Sequence, residues 1–278
     1  MVSIYGVEVF AWNPVRADVS GRMCHVNNFG DLLGPALVGK LAQKQFFEPI
    51  LSDDPENGSA ISPKLLTVGS IMHFAGDLDT VWGSGVNGKV GVVHHKFSKL
   101  DLRALRGPLS GKWLEEHKGI EDPGVYGDPA LLLLDAMPNL ADLSQQKRFK
   151  LSVIPNFHDF DTYRDLPEAV NPRGSVIEIL TRLAQSEQIV ASSLHGLIVG
   201  ELLGIPTALF KPSQESIFKY EDYVMGTGRK GLLCHATLDD AVRALAGDRE
   251  IFDEPLALWD PAPLRQSFPS DLWEPGKQ

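Results

Sequence analysis

The chain has 278 residues, of which 43% are hydrophobic and 22% charged, and its formal net charge is −10. This composition is typical of a folded soluble protein and excludes a disordered or fibrous chain. The negative charge also excludes a broad cationic surface of the kind that coats nucleic acid, so an anionic ligand must be held by a local cluster of cations.

The length predicts two domains, because a usual single core holds ~100–200 residues. We place the connection in the polar stretch 137–150, which divides the chain into domains 1–140 and 141–278, with a C-terminal segment able to cross back. The two cysteines, Cys24 and Cys234, are far apart and lack CxxC spacing, so neither a disulfide framework nor a zinc site is predicted.

The N-terminal half is predicted to alternate strands with helices. The predicted strands cover 2–10, 65–68, 80–82 and 90–94. Leucine recurs every four residues from 33 to 41, which predicts an amphipathic helix capped by Asp31. Residues 52–62 are rich in Asp, Pro, Asn and Gly and predict a surface loop. A second helix is predicted from near Pro108 to Gly119.

The C-terminal half repeats the same alternation. The predicted strands cover 151–155, 189–191 and 205–210, and the predicted helices cover 175–187, 195–203 and 239–246. Repeated strand-helix-strand order indicates an α/β fold with parallel sheets and right-handed crossovers in both halves. The apolar stretch 189–210 is interrupted by polar residues such as Glu201, so it is not predicted to span a membrane.

Two motifs resemble a dinucleotide site and a metal site, but their surroundings do not support either site. Residues 83–88 match GxGxxG, but the following residues are strand-like, whereas a dinucleotide site needs a helix opening on the last glycine. We interpret them as a glycine-rich turn lining a cleft. The neighbouring His94 and His95 would face opposite sides of a strand and have no complementary ligands in sequence, so no metal site is predicted.

The strongest chemical signal lies at Ser193-Leu194-His195-Gly196. A buried strand ends there and a helix begins, so His195 lies where unpaired backbone N–H groups and the helix dipole favour an anion. Ligands of open parallel sheets bind at the carboxyl ends of the strands. The alternative interpretation is a histidine that only caps the helix.

Several short segments together resemble the polysaccharide pyruvyltransferase family, and they occur in the order expected of it. They are Asn28-Phe29-Gly30-Asp31, Val81-Trp82-Gly83-Ser84-Gly85, Leu105-Arg106-Gly107-Pro108-Leu109-Ser110, Tyr126-Gly127-Asp128-Pro129-Ala130, Ser193-Leu194-His195-Gly196 and Lys219-Tyr220-Glu221-Asp222-Tyr223. The resemblance implies two Rossmann-like domains facing across a cleft, similar to the GT-B glycosyltransferases. It also implies transfer of pyruvate from phosphoenolpyruvate onto two sugar hydroxyls as a cyclic ketal, with release of phosphate.

The resemblance further implies which residues bind the donor. Arg106 and His195 match an arginine and a histidine of the family, and a nearly trivalent donor needs convergent cations. The family often has arginine where this chain has Ser193, so one expected charge is missing. Lys219 is the candidate replacement, with Lys211 as the second choice.

The remaining assignments follow from the same resemblance. The predicted catalytic residues are His195, Arg106 and Asp31, with His195 contacting phosphate and donating a proton. The predicted donor site also contains Gly83, Ser84, Gly85, Ser193, Gly196 and Lys219. The predicted acceptor site contains Asn28, Asp31, His158, Asp159 and Glu221, and one of Asp31, Asp159 or Glu221 would take the acceptor proton. Each charged residue could instead have only a structural role.

Two other functions remain open at this point. One is a nucleotide-sugar glycosyltransferase of GT-B type, since a fold does not fix the chemistry. The other is a glycan-binding protein without activity. The expected partners are phosphoenolpyruvate and a glycan, including one linked to polyprenyl diphosphate, with no cofactor, metal or nucleic acid. The expected location is the cytoplasm, with membrane contact only through the acceptor at the inner face.

Overall fold

The computed structural model describes residues 1–17, 20–42, 63–247, 251 and 254–274, so the loop predicted at 52–62 lies outside the described residues. The strands are β1 (Val2–Ile4), β2 (Val7–Phe10), β3 (Val15–Ala17), β4 (Met23–His25), β5 (Leu65–Leu66), β6 (Thr80–Trp82), β7 (Asp101–Ala104), β8 (Phe149–Ile154), β9 (Ser186–Ala191) and β10 (Thr207–Leu209). The α-helices are α1 (Phe29–Leu41), α2 (Pro108–Lys118), α3 (Leu133–Ala136), α4 (Asn139–Ser144), α5 (Phe160–Tyr163), α6 (Val176–Ala184), α7 (Leu194–Leu202), α8 (Phe218–Gly226), α9 (Leu238–Leu245) and α10 (Ala262–Gln266).

The first sheet has the order β1-β2-β5-β6-β7 and is parallel except at its edge, where β1 pairs antiparallel with β2. The prediction of one strand over residues 2–10 was therefore wrong. Tyr5 and Gly6 both have positive φ, 51° and 90°, which reverses the chain in a two-residue hairpin turn.

The predicted strand at 90–94 was also wrong. Residues Val92–His94 form a 3₁₀ helix, and the position beside β6 is taken by β7 instead. Without a strand partner, the β-branched side chain of Val93 stays exposed. The helix predicted from Pro108 to Gly119 is confirmed as α2, and Gly119 ends it with a left-handed φ of 64°.

Helix α1 is confirmed, but Asp31 is not its cap. The helix begins at Phe29 after Asn28, which places Asp31 in the first turn. Almost every residue up to Gly39 is buried, because α1 packs between the strands β1 and β2 on one side and the helices α6 and α7 on the other. The helix is therefore a buried core element and not amphipathic.

The second sheet has the order β10-β9-β8 and is parallel throughout. Its strands and the helices α6, α7 and α9 lie where the sequence predicts them. The stretch 137–150 is not an open connection, because it contains α4 and the start of β8. One hydrophobic cluster runs from Val2 to Leu264 and includes residues of both sheets. The mixed α/β class is thus confirmed, whereas the domain boundary at 140 and the GT-B arrangement stay predictions.

The C-terminal segment packs against the first sheet. The Trp273 indole donates to the Ile4 carbonyl at 2.9 Å, and the Arg103 guanidinium forms two 3.0 Å hydrogen bonds to Asp271. These contacts join the last described residues to β1 and β7. Among the described residues, no helix is long and apolar enough to cross a membrane.

Candidate active site

A cleft of about 220 Å³ lies where the loops that follow the strands of both sheets meet. Loops after β2, β5 and β6 form one side, and loops after β8, β9 and β10 form the other. These are the carboxyl ends of parallel strands, where open α/β sheets bind ligands. The lining residues are Trp12, Asn28, Phe29, Gly30, Asp31, Ser70, Ile71, His73, Phe74, Asn87, Lys89, Asn156, Phe157, His158, Pro172, Ser193, Leu194, His195, Glu215 and Lys219.

His195 lies in the first turn of α7, as predicted, and lines the cleft. Ser193 caps the helix by accepting a hydrogen bond from the Gly196 N–H at 3.3 Å. The His195 ring lies against the backbone of Gly30, where an added methyl group would overlap the ring. Glycine at position 30 therefore allows α1 and α7 to approach each other closely, which joins the two sides of the cleft.

Behind His195 lies a carboxylate to which sequence reasoning gave no role. Asp128 is fully buried, and its Oδ2 lies 3.5 Å from His195 Nε2. Neither atom has a hydrogen-bond partner among the described residues. The other oxygen of Asp128 accepts a bond from the Ala130 N–H at 3.0 Å, which holds the carboxylate in place. The two atoms therefore face each other at the distance of an ion pair without forming a hydrogen bond.

Asp31 stands on the opposite side of the cleft in a buried position. Its Oδ2 accepts a 2.9 Å hydrogen bond from the Asn28 side chain, and its Oδ1 has no donor within the described part of the chain. Burial raises the pKa of Asp31 to about 6, although the charges of His195 and Lys219 oppose the rise. The carboxyl group therefore exchanges a proton close to neutral pH.

Two lysines bring positive charge to the cleft around one glutamate. Lys219, on α8, bonds to Glu215 at 2.9 Å, and Lys89 bonds to the other oxygen of Glu215 at 2.7 Å. Burial lowers the pKa of Lys219, while Glu215 opposes that shift. Burial alone would raise the pKa of Glu215, but the two lysines outweigh it and lower that pKa. The cleft thus contains a cationic cluster, consisting of Lys219, Lys89 and the N-terminus of α7.

Arg106 was predicted to contact the donor, but the structure places it behind the cleft wall. Its side chain is fully buried and forms an ion pair with Asp222, with Nε at 3.0 Å and Nη2 at 2.9 Å from Oδ2. Nη2 also donates to the Val86 carbonyl, and Nη1 donates to the Ser70 hydroxyl. Since Ser70 lines the cleft, Arg106 supports the wall without reaching the ligand space.

The glycine-rich turn at 83–85, predicted to belong to the donor site, also lies behind the wall and does not line the cleft. Ser84 is fully buried and donates to the Gly69 carbonyl at 3.0 Å. A Cβ at Gly85 would come within 2.6 Å of the Arg106 guanidinium. The turn is glycine-rich because the arginine needs that space, and because Gly83 has a φ of 81°.

Four further predicted positions lie outside the cleft lining. Gly196 packs α7 onto β8, since an added methyl group would overlap Ile154. Asp159 is buried and accepts hydrogen bonds from the backbone and hydroxyl of Ser213. Glu221 and Lys211 are exposed, and of the two candidate lysines Lys219 lines the cleft whereas Lys211 does not. Of the predicted acceptor residues, Asn28, Asp31 and His158 line it.

Sequence reasoning missed several residues that line the cleft, among them Lys89, Glu215, His73 and Trp12. Each is a single residue in a loop or, for His73, in the short 3₁₀ helix Met72–Phe74, so neither spacing nor periodicity marks it. The signal for Asp128 was present, because the Tyr126–Ala130 segment belongs to the set that carried the family resemblance. Among the described residues, no group of three or more His, Cys, Asp or Glu side chains is arranged to hold a metal.

Comparison with known protein families gives a match over most of the chain. The sequence model of the family described as polysaccharide pyruvyl transferase matches residues 28–214. The chain belongs to the polysaccharide pyruvyl transferase family. The matched range contains every cleft-lining residue except Trp12, Glu215 and Lys219.

The chain is also similar to a curated protein, the succinoglycan biosynthesis protein ExoV of Rhizobium meliloti (strain 1021). It is 29% identical over 136 residues. The aligned stretch covers 46% of this chain and 41% of the relative, so the chain matches less than half of that protein's length.

Proposed function

We propose that this chain transfers the pyruvyl group of phosphoenolpyruvate to two hydroxyls of a sugar in a polysaccharide or its lipid-linked repeat unit. The product is a cyclic ketal, and inorganic phosphate is released. The observation that carries the proposal is that the family match covers both sides of the cleft, from Asn28 to His195. The curated relative, named for succinoglycan biosynthesis, supports an exopolysaccharide as the acceptor.

The cationic cluster suits the donor, whose carboxylate and phosphate carry close to three negative charges. The Lys219 ammonium has three N–H donors, of which Glu215 accepts one. The first backbone N–H groups of α7 add the positive end of a helix dipole. We assign the donor anion to this cluster and to His195, and we assign Arg106 to the support of Ser70.

The first chemical step adds one sugar hydroxyl across the enol double bond. The hydroxyl oxygen bonds to C2, its proton goes to a base, and C3 receives a proton and becomes a methyl group. We assign the role of the base to Asp31, because its pKa of about 6 allows it to accept a proton at neutral pH. We assign to His195 the supply of the proton and the contact with phosphate.

The second step closes the ketal. The second hydroxyl bonds to C2 as the bond between C2 and the phosphate oxygen breaks, and its proton leaves with phosphate. C2 develops cationic character and the leaving phosphate gains charge, so fixed charges in the cleft contribute more than covalent catalysis. Asp128 would hold His195 Nε2–H and keep the ring in one orientation, which leaves Nδ1 for the reaction.

Phosphate release from phosphoenolpyruvate, followed with and without glycan acceptors, tests the proposal. We expect release that depends on the acceptor and that falls by at least ~100-fold in His195→Ala, as for loss of a general acid. The matched control is His117→Ala, because His117 is exposed on α2 and does not line the cleft.

Other outcomes of the same assay would replace the proposal. Release of a nucleoside diphosphate from an activated sugar would indicate a glycosyltransferase. Binding of glycan without turnover of any donor would indicate a glycan-binding protein. Equal phosphate release by the His195→Ala and His117→Ala variants would remove His195 from the chemistry.

A further inference from the structure

One wall of the cleft is aromatic and carries no role in the chemistry above. Trp12 packs edge-on against Phe157, with ring centroids 5.4 Å apart, and lies 6.1 Å from His158. Phe157 and His158 are themselves 5.2 Å apart. Phe74, at 38% exposure, adds a further ring and stacks on Phe10 at 4.9 Å. Four aromatic side chains, Trp12, Phe74, Phe157 and His158, therefore line the same space; we call them the aromatic wall.

The aromatic wall is held in place from behind. Phe157 is buried, the Arg173 guanidinium lies over its ring at 5.0 Å, and Arg173 also donates to its carbonyl at 3.0 Å. The His158 backbone N–H donates to the Asn156 side chain at 3.0 Å. Because these side chains are already held in place, little side-chain entropy is lost when a ligand binds to them.

The Trp12 side chain is half-buried and has unused hydrogen-bonding capacity. Its indole N–H makes no hydrogen bond to any of the described residues. Buried or half-buried tryptophan normally pairs this group, so an unpaired indole N–H in a cleft is available to a ligand oxygen. Burial also lowers the pKa of His158, which favours the neutral form of its ring.

We infer that the aromatic wall binds the acceptor sugar, with the C–H face of a neutral hexopyranose stacked on the Trp12 indole. A pyranose ring has an apolar face of C–H groups and a rim of hydroxyls, which matches an aromatic face beside an indole N–H and the side chains of Asn28 and Asp31. The anionic donor is drawn to the cationic cluster, so the two substrates occupy different parts of one cleft. The identification of this sugar as the acceptor rests on the proposed function. The binding of a sugar to the aromatic wall does not.

Saturation-transfer NMR tests it without turnover. Methyl glucosides, galactosides and mannosides are titrated against the wild type and against Trp12→Ala and Trp12→Phe variants. We expect magnetisation transfer concentrated on the protons of one ring face, with affinity lost about 10-fold in Trp12→Ala and about 3-fold in Trp12→Phe, which keeps a ring but lacks the N–H. Trp113→Ala is the control, because Trp113 is also half-buried but lies outside the cleft.

The outcomes separate this inference from the proposed function. Unchanged sugar affinity in both Trp12 variants, or no binding of any of these sugars to the wild type, would overturn the aromatic wall as a sugar site. If sugar binding depends on Trp12 but the protein does not bind phosphoenolpyruvate, the sugar site is supported and phosphoenolpyruvate is excluded as the donor. In an active enzyme, Trp12→Phe should raise the KM for the acceptor and leave the KM for phosphoenolpyruvate unchanged.

Discussion

Two buried ion pairs lie beside the cleft, and they differ in what their charges can reach. The Arg106–Asp222 pair has no exposed side-chain surface, and Asp222 also accepts hydrogen bonds from the backbone and hydroxyl of Ser110. The Lys219–Glu215 pair lines the cleft, and Glu215 is shared with Lys89. An enclosed ion pair whose polar groups are all hydrogen-bonded stabilises the fold. An ion pair that lines a cavity and has free N–H donors can also bind a ligand.

The largest effect expected is on stability, from breaking the enclosed pair. Arg106→Ala leaves the Asp222 carboxylate buried without its partner, which should lower the free energy of unfolding by about 3–5 kcal/mol. Urea unfolding measures this loss. A variant that is nearly as stable as the wild type but has lost affinity for phosphoenolpyruvate would place Arg106 back in the donor site.

The next effect concerns Asp31, whose buried carboxyl group favours the protonated form. Its folded pKa of about 6 is above the usual value of 3.8 for an aspartate, so its stabilising contribution is complete below about pH 4 and is lost as pH rises through 6. Asp31→Asn should therefore be more stable than the wild type above pH 7, by up to about 3 kcal/mol, and equal to it near pH 4.

Thermal unfolding across pH 4–8 measures this difference. Asp161→Asn is the control with the opposite direction, because hydrogen bonds from Arg173 lower the pKa of the exposed Asp161 carboxyl group. That variant should show no gain in stability at high pH. A pH-independent difference between Asp31→Asn and the wild type would mean that the Asp31 carboxyl group titrates normally.

Removing the Lys219 charge, which is accessible from the cleft, should weaken donor binding more than it lowers stability. In Lys219→Ala, Glu215 keeps Lys89 as a partner, so the ion-pair loss is partial. We expect the Kd for phosphoenolpyruvate to rise by about 10- to 100-fold, as for loss of a hydrogen bond to a charged group. Calorimetric titration measures it, with the exposed Lys211→Ala as control; equal affinities of the two variants would exclude Lys219 from the donor site.

The smallest effect is expected at Asp128, which touches His195 and not the ligand space. Asp128→Asn keeps an oxygen for the Ala130 N–H but changes the group that faces His195 Nε2. We expect kcat to fall about 10-fold with the KM values unchanged, because a positioning residue affects the reacting geometry and not the binding. A shifted pH profile of kcat should accompany the fall, whereas a purely structural role would leave the profile in place.

Sequence reasoning located the strand and helix around His195 because polar residues mark where the β9 strand ends. It gave no sign of contacts between residues that are far apart along the chain. Arg106 and Asp222 are 116 positions apart, so their pairing leaves no local pattern. The glycines at 83 and 85 resemble a ligand-binding turn, although Gly85 leaves space for the Arg106 guanidinium and Gly83 has a left-handed φ and packs against Pro129. The hairpin at Tyr5 was missed because tyrosine rarely adopts a positive φ, so the sequence Tyr5-Gly6 does not look like a turn.

Transfer of the pyruvyl group is tested most directly by following the carbon atoms of the donor. The protein is incubated with phosphoenolpyruvate labelled with ¹³C at C3, in D₂O, together with an acceptor glycan. We expect a labelled methyl group on the glycan, one deuterium in each methyl group, and one phosphate released for each label transferred. Label that stays in phosphoenolpyruvate or appears only as free pyruvate, across acceptors that bind to the cleft, would contradict this transfer.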